Sequence, residues 1–296
     1  MNWLSTSKVI VQGITEYRAT LCALEMKAFG TKIVGGISPG NGGRTIEQIP
    51  IFDSVEQVRQ VEQIDVSLIF VEPKRVLDAA REAIAAGIPR LIIFTSMVPP
   101  LDTIELIQQA KKTKTLVLGP GSSGILVPGQ VWLGNLEPQY YLPGTVGLIS
   151  SSRHLSYEVA AELNKVNLGQ SIVVSLGSER IIGSNFAYWW SVLNEDPNTQ
   201  AIVSIGHRIN EIEEITAYSK EHGYHKPIAV YLAGLQAPQE KAYGDAVTII
   251  SNHLSASIPS VNRDIQALEQ LKKLGIEVAT RPSKIPALVS EALSAV

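Results

Sequence analysis

A single cysteine, Cys22, in 296 residues leaves no partner for an internal disulfide. That excludes the disulfide-stapled scaffolds of small secreted proteins and fits a reducing compartment. No zinc-type cysteine or histidine spacing occurs, and His222 and His225, three apart, lack a carboxylate arrangement suited to a metal. Charge is sparse as well. Charged residues make up 18% of the chain and the formal net charge is -3, which provides no basic footprint for nucleic acid. No run of about eighteen apolar residues is present, so no membrane-spanning helix is expected. The start, Met1-Asn2-Trp3-Leu4-Ser5, has no charged region followed by an apolar one. These absences together lead to the expectation of a soluble, cytoplasmic protein.

What is present is apolar and periodic. The chain is 45% hydrophobic and long enough for two cored domains. Short β-branched runs at Lys8 to Gln12, Lys32 to Gly36, Val66 to Val71, Arg90 to Thr95 and Thr115 to Leu118 read as buried strands. Helix-period segments around Ala19 to Ala28, Arg75 to Ala86 and Thr103 to Lys112 lie between them. This alternation predicts a doubly wound parallel sheet with right-handed crossovers. Gly and Pro then crowd the stretch from Gly119 to Gly144, which contains Tyr140-Tyr141, and the alternation pauses.

A second round follows, with strands at Thr145 to Ile149, Ser171 to Leu176, Ala201 to Ile205 and Pro227 to Leu232. Helices are expected near Leu155 to Asn164, Ser184 to Asn194 and Ile209 to Glu221. The tail reads as two helices, Asn262 to Leu274 and Pro286 to Ala295, around the short strand Glu277-Val278-Ala279. The expected architecture is therefore α/β with two Rossmann-like domains, residues 1–120 and 145–296, joined by a connector over 121–144.

Five blocks are spread in order along the chain. They are Val34-Gly35-Gly36-Ile37-Ser38-Pro39-Gly40-Asn41-Gly42-Gly43, Leu118-Gly119-Pro120, Gly124-Ile125-Leu126-Val127-Pro128-Gly129, Ser156-Tyr157-Glu158 and Gly183-Ser184-Asn185-Phe186. In these blocks the chain resembles the α subunit of succinyl-CoA synthetase, a CoA ligase, over nearly its whole length. The resemblance implies a CoA-binding-type first domain, a flavodoxin-like ligase-type second domain, and a β-type partner subunit that brings Mg-nucleotide.

The resemblance also names positions. In the family the turn after the first strand is glycine-rich and wraps the CoA phosphates, because only glycine lets backbone amides approach so closely. Here Gly13 and Thr15 remain, whereas Glu16 and Ala19 replace two glycines. A carboxylate facing a pyrophosphate repels it unless Arg18 offsets the charge. Asn41 stands in place of a phosphate-contacting lysine and Ser96, beside Thr95, in place of a glutamate. With Ser38 and Pro39 these residues make up the candidate CoA site. The surviving glycines of the second block either cradle a ligand or simply hold a tight turn.

In the family a phosphohistidine carries the phosphoryl group, since a neutral imidazole nitrogen is nucleophilic near neutral pH. Asp245 occupies that position here. It is either an ordinary loop or cap residue, or an acceptor that forms an acyl phosphate. Within the family's phosphate loop, Ser150 and Ser152 match, while Arg153 and His154 replace glycine and threonine at a helix start. Arg153 could hold another anion there. His154 is either a solvent-facing residue or a substitute phosphoacceptor. His207 replaces the glutamate that orients the family's histidine. Tyr157 matches a residue of the substrate site shared with β, or is a buried helix tyrosine. Two adjacent tryptophans on one helix, Trp189 and Trp190, suggest that one is covered by a partner or lies at the rim.

The leading expectation is a divergent α-like protein without ligase activity that serves as a binding or regulatory subunit, paired with a β-like chain or with itself. The rivals are an active ligase using Asp245 or His154, and a protein-interaction scaffold binding no small molecule.

Overall fold

The computed structural model describes residues 6–206, 209–233 and 263–294. The first domain runs β1 (Lys8–Gln12), α1 (Tyr17–Phe29), β2 (Lys32–Ile37), β3 (Thr45–Ile46), β4 (Ile49–Phe52), α2 (Val55–Arg59), β5 (Val66–Ile69), α3 (Val76–Ala85), β6 (Arg90–Ile93), α4 (Pro100–Thr113) and β7 (Leu116–Leu118). The second runs β8 (Gly124–Val127), β9 (Val131–Gly134), β10 (Pro143–Ser150), α5 (Arg153–Asn164), β11 (Gln170–Ser175), α6 (Phe186–Glu195), β12 (Ala201–Gly206), α7 (Ile209–His222), β13 (Ile228–Leu232), α8 (Arg263–Lys273), β14 (Glu277–Ala279) and α9 (Ile285–Ser294).

Among the described residues the strands form two seven-stranded sheets, ordered β3-β4-β2-β1-β5-β6-β7 and β14-β13-β12-β10-β11-β8-β9. In the first, β1 lies at the centre with parallel neighbours β2 and β5. In the second, β10 holds the same place between β11 and β12. Strand order reverses beside β1 and beside β10, and a crevice opens at the carboxyl ends of the strands at such a reversal.

Alternation along β1 explains why helices cover both faces of the first sheet. Ile10 packs into one apolar cluster with Ile69, Ile93 and Leu106, while Val9 and Val11 join another. On that second face α1 buries Ala19, Cys22, Ala23 and Met26, a stripe with helical spacing. The same cluster continues through Trp132 and Leu133 of β9 to Leu148, Val174 and Trp190. One core therefore crosses the boundary between the domains.

Residues 121–144, expected to be a connector, include a hairpin. Its strand β8 pairs antiparallel with both β11 and β9. Both four-residue strands are almost wholly buried, which removes the polar alternation that would mark them in the sequence. The hairpin also ties the domains together, since Thr31 Oγ1 donates to Trp132 O at 2.7 Å and Trp132 meets Phe29 edge-on at 5.7 Å.

The two tryptophans of α6 depart from the expectation that one is covered by a partner or lies at the rim. Trp189 and Trp190 are 0% and 1% exposed. The Trp190 indole N–H donates to Ser204 Oγ of β12 at 2.7 Å and its ring meets Tyr218 of α7 edge-on. The Trp189 indole N–H donates to Ser184 Oγ at 3.1 Å. A helix lodged between a sheet and a neighbouring helix has an interior on two sides, so side chains pointing apart can both be buried.

Candidate functional site

A cavity of about 200 Å³ opens where β1, β2 and β5 end. Gln12, Gly13, Thr15 and Glu16 line it from the β1 turn, and Ile37, Ser38 and Pro39 from the end of β2. Val71, Glu72, Arg75, Asp78, Ala79 and Glu82 close the far side. The floor is rigid. Gln12 is 1% exposed, donates to Ala79 O at 3.0 Å and accepts from Ser67 Oγ at 2.8 Å. Glu82 accepts the N–H of Val55 at 2.7 Å, so its carboxylate also serves the start of α2.

Gly13 makes the turn with φ of 82°. A Cβ there would lie 3.1 Å from both Val71 N and Val71 Cγ1, so the turn closes only without one. Thr15 Oγ1 and Ser38 Oγ are 3.0 Å apart, and Asn41 Nδ2 donates to Ser38 Oγ at 3.0 Å. Of the candidate CoA residues, Gly13, Thr15, Ser38 and Pro39 thus come together on the cavity, with Asn41 tied to its edge. Arg18 is exposed on α1 and is not among the lining residues. Thr95 reaches the cavity wall indirectly, its hydroxyl donating to Val71 O at 2.6 Å, while Ser96 is exposed on the next loop.

The glycine-rich loop after β2 uses its own amides. Gly40 N–H and Gly42 N–H both donate to Asp53 Oδ1, at 2.7 and 3.0 Å. Ser38, Asn41 and Gly43 donate to Phe52 O, Ser38 O and Ile51 O. Pro39 has no N–H, so residues 38–43 present no spare amide to a phosphate. In this arrangement these glycines hold a tight turn. Side chains, not loop amides, make the contact surface at this edge. Four carboxylates, Glu16, Glu72, Asp78 and Glu82, and one guanidinium, Arg75, give the cavity a negative balance. Sequence reading singled out Glu16 but missed Asp53, Glu72, Asp78 and Glu82, which share no motif and come to this edge only in the folded chain.

The second candidate site lies where β10 passes into α5. Ser152 caps α5, its hydroxyl accepting from Leu155 N–H at 3.5 Å. Ser151 N–H donates to Ile205 O at 3.0 Å, Ser152 N–H to Ser150 Oγ at 3.0 Å, and Ser150 Oγ in turn to Ser152 O at 2.7 Å. The two matching serines are thereby occupied with each other. His154 is exposed on the first turn, and Arg153 is half-buried.

The charge of Arg153 is felt in the first domain. Burial pushes the Cys22 thiol up to about 11, while the charges of Arg153 and Arg18 oppose that rise. Burial likewise raises the phenol of Tyr157, again opposed by Arg153. Tyr157 lies tilted against Tyr140 and Tyr141, with ring centroids 5.2 and 5.7 Å away, and its enclosed hydroxyl approaches the Glu137 backbone without a well-formed hydrogen bond. Tyr141 is better satisfied, its hydroxyl lying 2.8 Å from Ser156 Oγ. Asp245 and His207 lie outside the described residues. No group of three or more potential metal ligands occurs among the described residues.

Fold and crevices define a two-domain α/β protein with a cavity at the strand ends of the first domain. Comparison with known proteins gives the class. Residues 5–97 match the CoA binding domain, and residues 143–252 the succinyl-CoA ligase like flavodoxin domain. The chain is 36% identical to the succinate–CoA ligase [ADP-forming] subunit alpha 2 of Archaeoglobus fulgidus, over 97% of each chain. It is 34% identical to the malate–CoA ligase subunit alpha of Methylorubrum extorquens, over 97% of this chain and 96% of that one. It belongs to the succinate–CoA ligase α-subunit family. Among solved structures, ATP citrate lyase from Methanothrix soehngenii in complex with citrate and coenzyme A shares the fold, with a TM-score of 0.83 at 18% identity. The match covers all of this chain and 51% of that one, so this chain spans about half its length.

Proposed function

We propose that this chain is an α-type subunit that retains a CoA-responsive cavity in its first domain and has lost the phosphoryl-carrying step. The observation that carries the reading is the side-chain replacement at the family's phosphohistidine position, Asp245. The loop before α5 supports it, because Ser150 and Ser152 bond each other and Arg153 and His154 occupy its first turn. The matched CoA binding domain and the cavity lined by Gly13, Thr15, Ser38 and Pro39 support retained binding. The acidic lining, with Asp53 holding the loop amides, argues for weaker recognition of the phosphates than of the rest of the ligand. CoA would then act as a signal of acyl-carrier supply, with a β-type chain as partner and Mg-nucleotide bound only by that partner.

Two measurements on the full chain test this. Calorimetric titration with CoA should give micromolar-range binding, on the order of -8 kcal/mol. Incubation with ATP, Mg²⁺ and a β-type subunit should leave no phosphate on the chain. Stoichiometric phosphoprotein would overturn the reading, and its loss in His154→Ala or Asp245→Ala would then identify the acceptor. Absence of CoA binding would leave a scaffold.

A further inference from the structure

Two loops from different domains meet beside the first cavity. After β6 the chain passes through Thr95, Ser96 and Met97, and Met97 takes a left-handed conformation with φ of 59°. A non-glycine residue there needs support from its surroundings. Its own side chain provides little, being 60% exposed. The support comes from the second domain: Met97 N–H donates to Glu179 Oε1 at 2.6 Å, on the loop that follows β11.

A second tie runs alongside. Ser178 N–H donates to Gly121 O at 3.2 Å, and Gly121 N–H donates to Thr95 O at 3.0 Å. Gly121 takes φ of 71°, and a Cβ there would lie 3.2 Å from Ser178 N, so a side chain at that position would crowd the approach of the two loops. Both ties end on the segment whose Thr95 hydroxyl holds Val71 O. Val71 in turn lines the cavity and packs against Gly13. At the other end, β11 is in register with the phosphate-loop strand: Ser150 pairs with Ser175, and Leu176 N–H donates to Ser150 O at 2.9 Å.

We infer that Glu179 is a positioning residue through which the second domain sets the rim of the first domain's ligand cavity. Its carboxylate fixes Met97, Met97 fixes the course of Thr95, and Thr95 fixes the Val71 wall against which the Gly13 turn closes. Ligand entry in the first domain and the arrangement of the loop beside Ser150 are thereby joined by one continuous set of contacts. Any preference of the ligand for the closed rim acts equally on the loop after β11, since such coupling is reciprocal. The binding arm of the test rests on the reading of the cavity as a CoA site; the exchange arm does not.

The test compares the full-length protein with Glu179→Ala, Glu179→Gln and, as a control, Glu62→Ala, which removes a surface ion pair to Lys8 in the first domain. Amide hydrogen exchange is followed at Met97, Val71 and Gly13, and CoA affinity by calorimetry. Glu179→Ala should speed exchange at Met97 by about tenfold, with a smaller rise at Val71 and Gly13, and weaken CoA binding by about fivefold. Glu179→Gln keeps an acceptor oxygen and should stay within about threefold of the parent in each readout. Unchanged exchange at Met97 in Glu179→Ala overturns the inference. So does a rise spread evenly over the chain, which would report a general loss of stability matched by the control. If the parent protein fails to bind CoA, the functional reading above falls while exchange at these three positions still decides the role of Glu179.

Discussion

Replacing Gly13 by alanine separates the two physical demands made on the β1 turn. Gly13 and Gly40 share the same φ, 82°, but differ in surroundings. A Cβ on Gly40 would meet nothing within 4 Å, so Gly40→Ala reports the left-handed conformation alone, about 1–2 kcal/mol. A Cβ on Gly13 would stand 3.1 Å from Val71 N and Val71 Cγ1 and 3.3 Å from Phe70 C. Two of those atoms are backbone at the end of β5, which cannot rotate aside as a side-chain tip can. Relief requires the turn to move away from β5 by a few tenths of an ångström, adding roughly 1–2 kcal/mol of packing loss. The expected totals are about 1–2 kcal/mol for Gly40→Ala and about 2–4 kcal/mol for Gly13→Ala. Urea denaturation, read as a midpoint shift at constant slope, measures both. CoA calorimetry should show Gly13→Ala weakened by about tenfold or more, because the displaced turn carries Thr15, and Gly40→Ala changed by less than about threefold. Equal destabilisation of the two variants would refute the claim that contact with Val71 constrains the turn.

Other variants address the core and the buried thiol. Ser204→Ala leaves the Trp190 indole N–H buried without its acceptor and should destabilise by about 1–3 kcal/mol in the same urea assay, whereas Ser191→Ala on the exposed side of α6 should change little. The Cys22 thiol ionises at about 11 instead of the ordinary 9.0. Because the folded-state value is raised, this stabilisation is complete below pH about 9 and is lost as pH rises toward about 11, on the order of 2–3 kcal/mol in all. Cys22→Ala should flatten the fall in stability across that window, and native protein at pH about 8 should react with a thiol reagent far more slowly than urea-unfolded protein. An unaltered alkaline profile would count against a buried, desolvated thiol.

The alternating apolar runs were enough to read both domains. β1, β2, β5 and β6, and later β10 to β13, fall on the β-branched segments expected of buried parallel strands, because a strand covered on both faces has no polar alternation to blur it. Helices α1, α3 and α4 likewise follow their stripes. The same logic fails for β8 and β9, whose short apolar runs sit among Gly and Pro, and for β3 and α2, which are too short to show a period. The family resemblance, carried by blocks such as Gly183-Ser184-Asn185-Phe186, was also legible without coordinates, as was the aspartate at position 245.

Residue identity along the chain thus determined the fold class, the family and the presence of an aspartate at position 245, since each depends on local periodicity or on the residue present at a single position. Which polar groups are already occupied was decided only by the tertiary structure. Asp53 takes the amides of the glycine loop from eleven and thirteen residues away, and Glu179 reaches Met97 across eighty-two. Trp189 and Trp190 are both interior because α6 lies against β12 and α7. Hydrogen bonding and burial are satisfied by whatever the folded chain brings within about 3 Å. Sequence order contains no direct record of those distances.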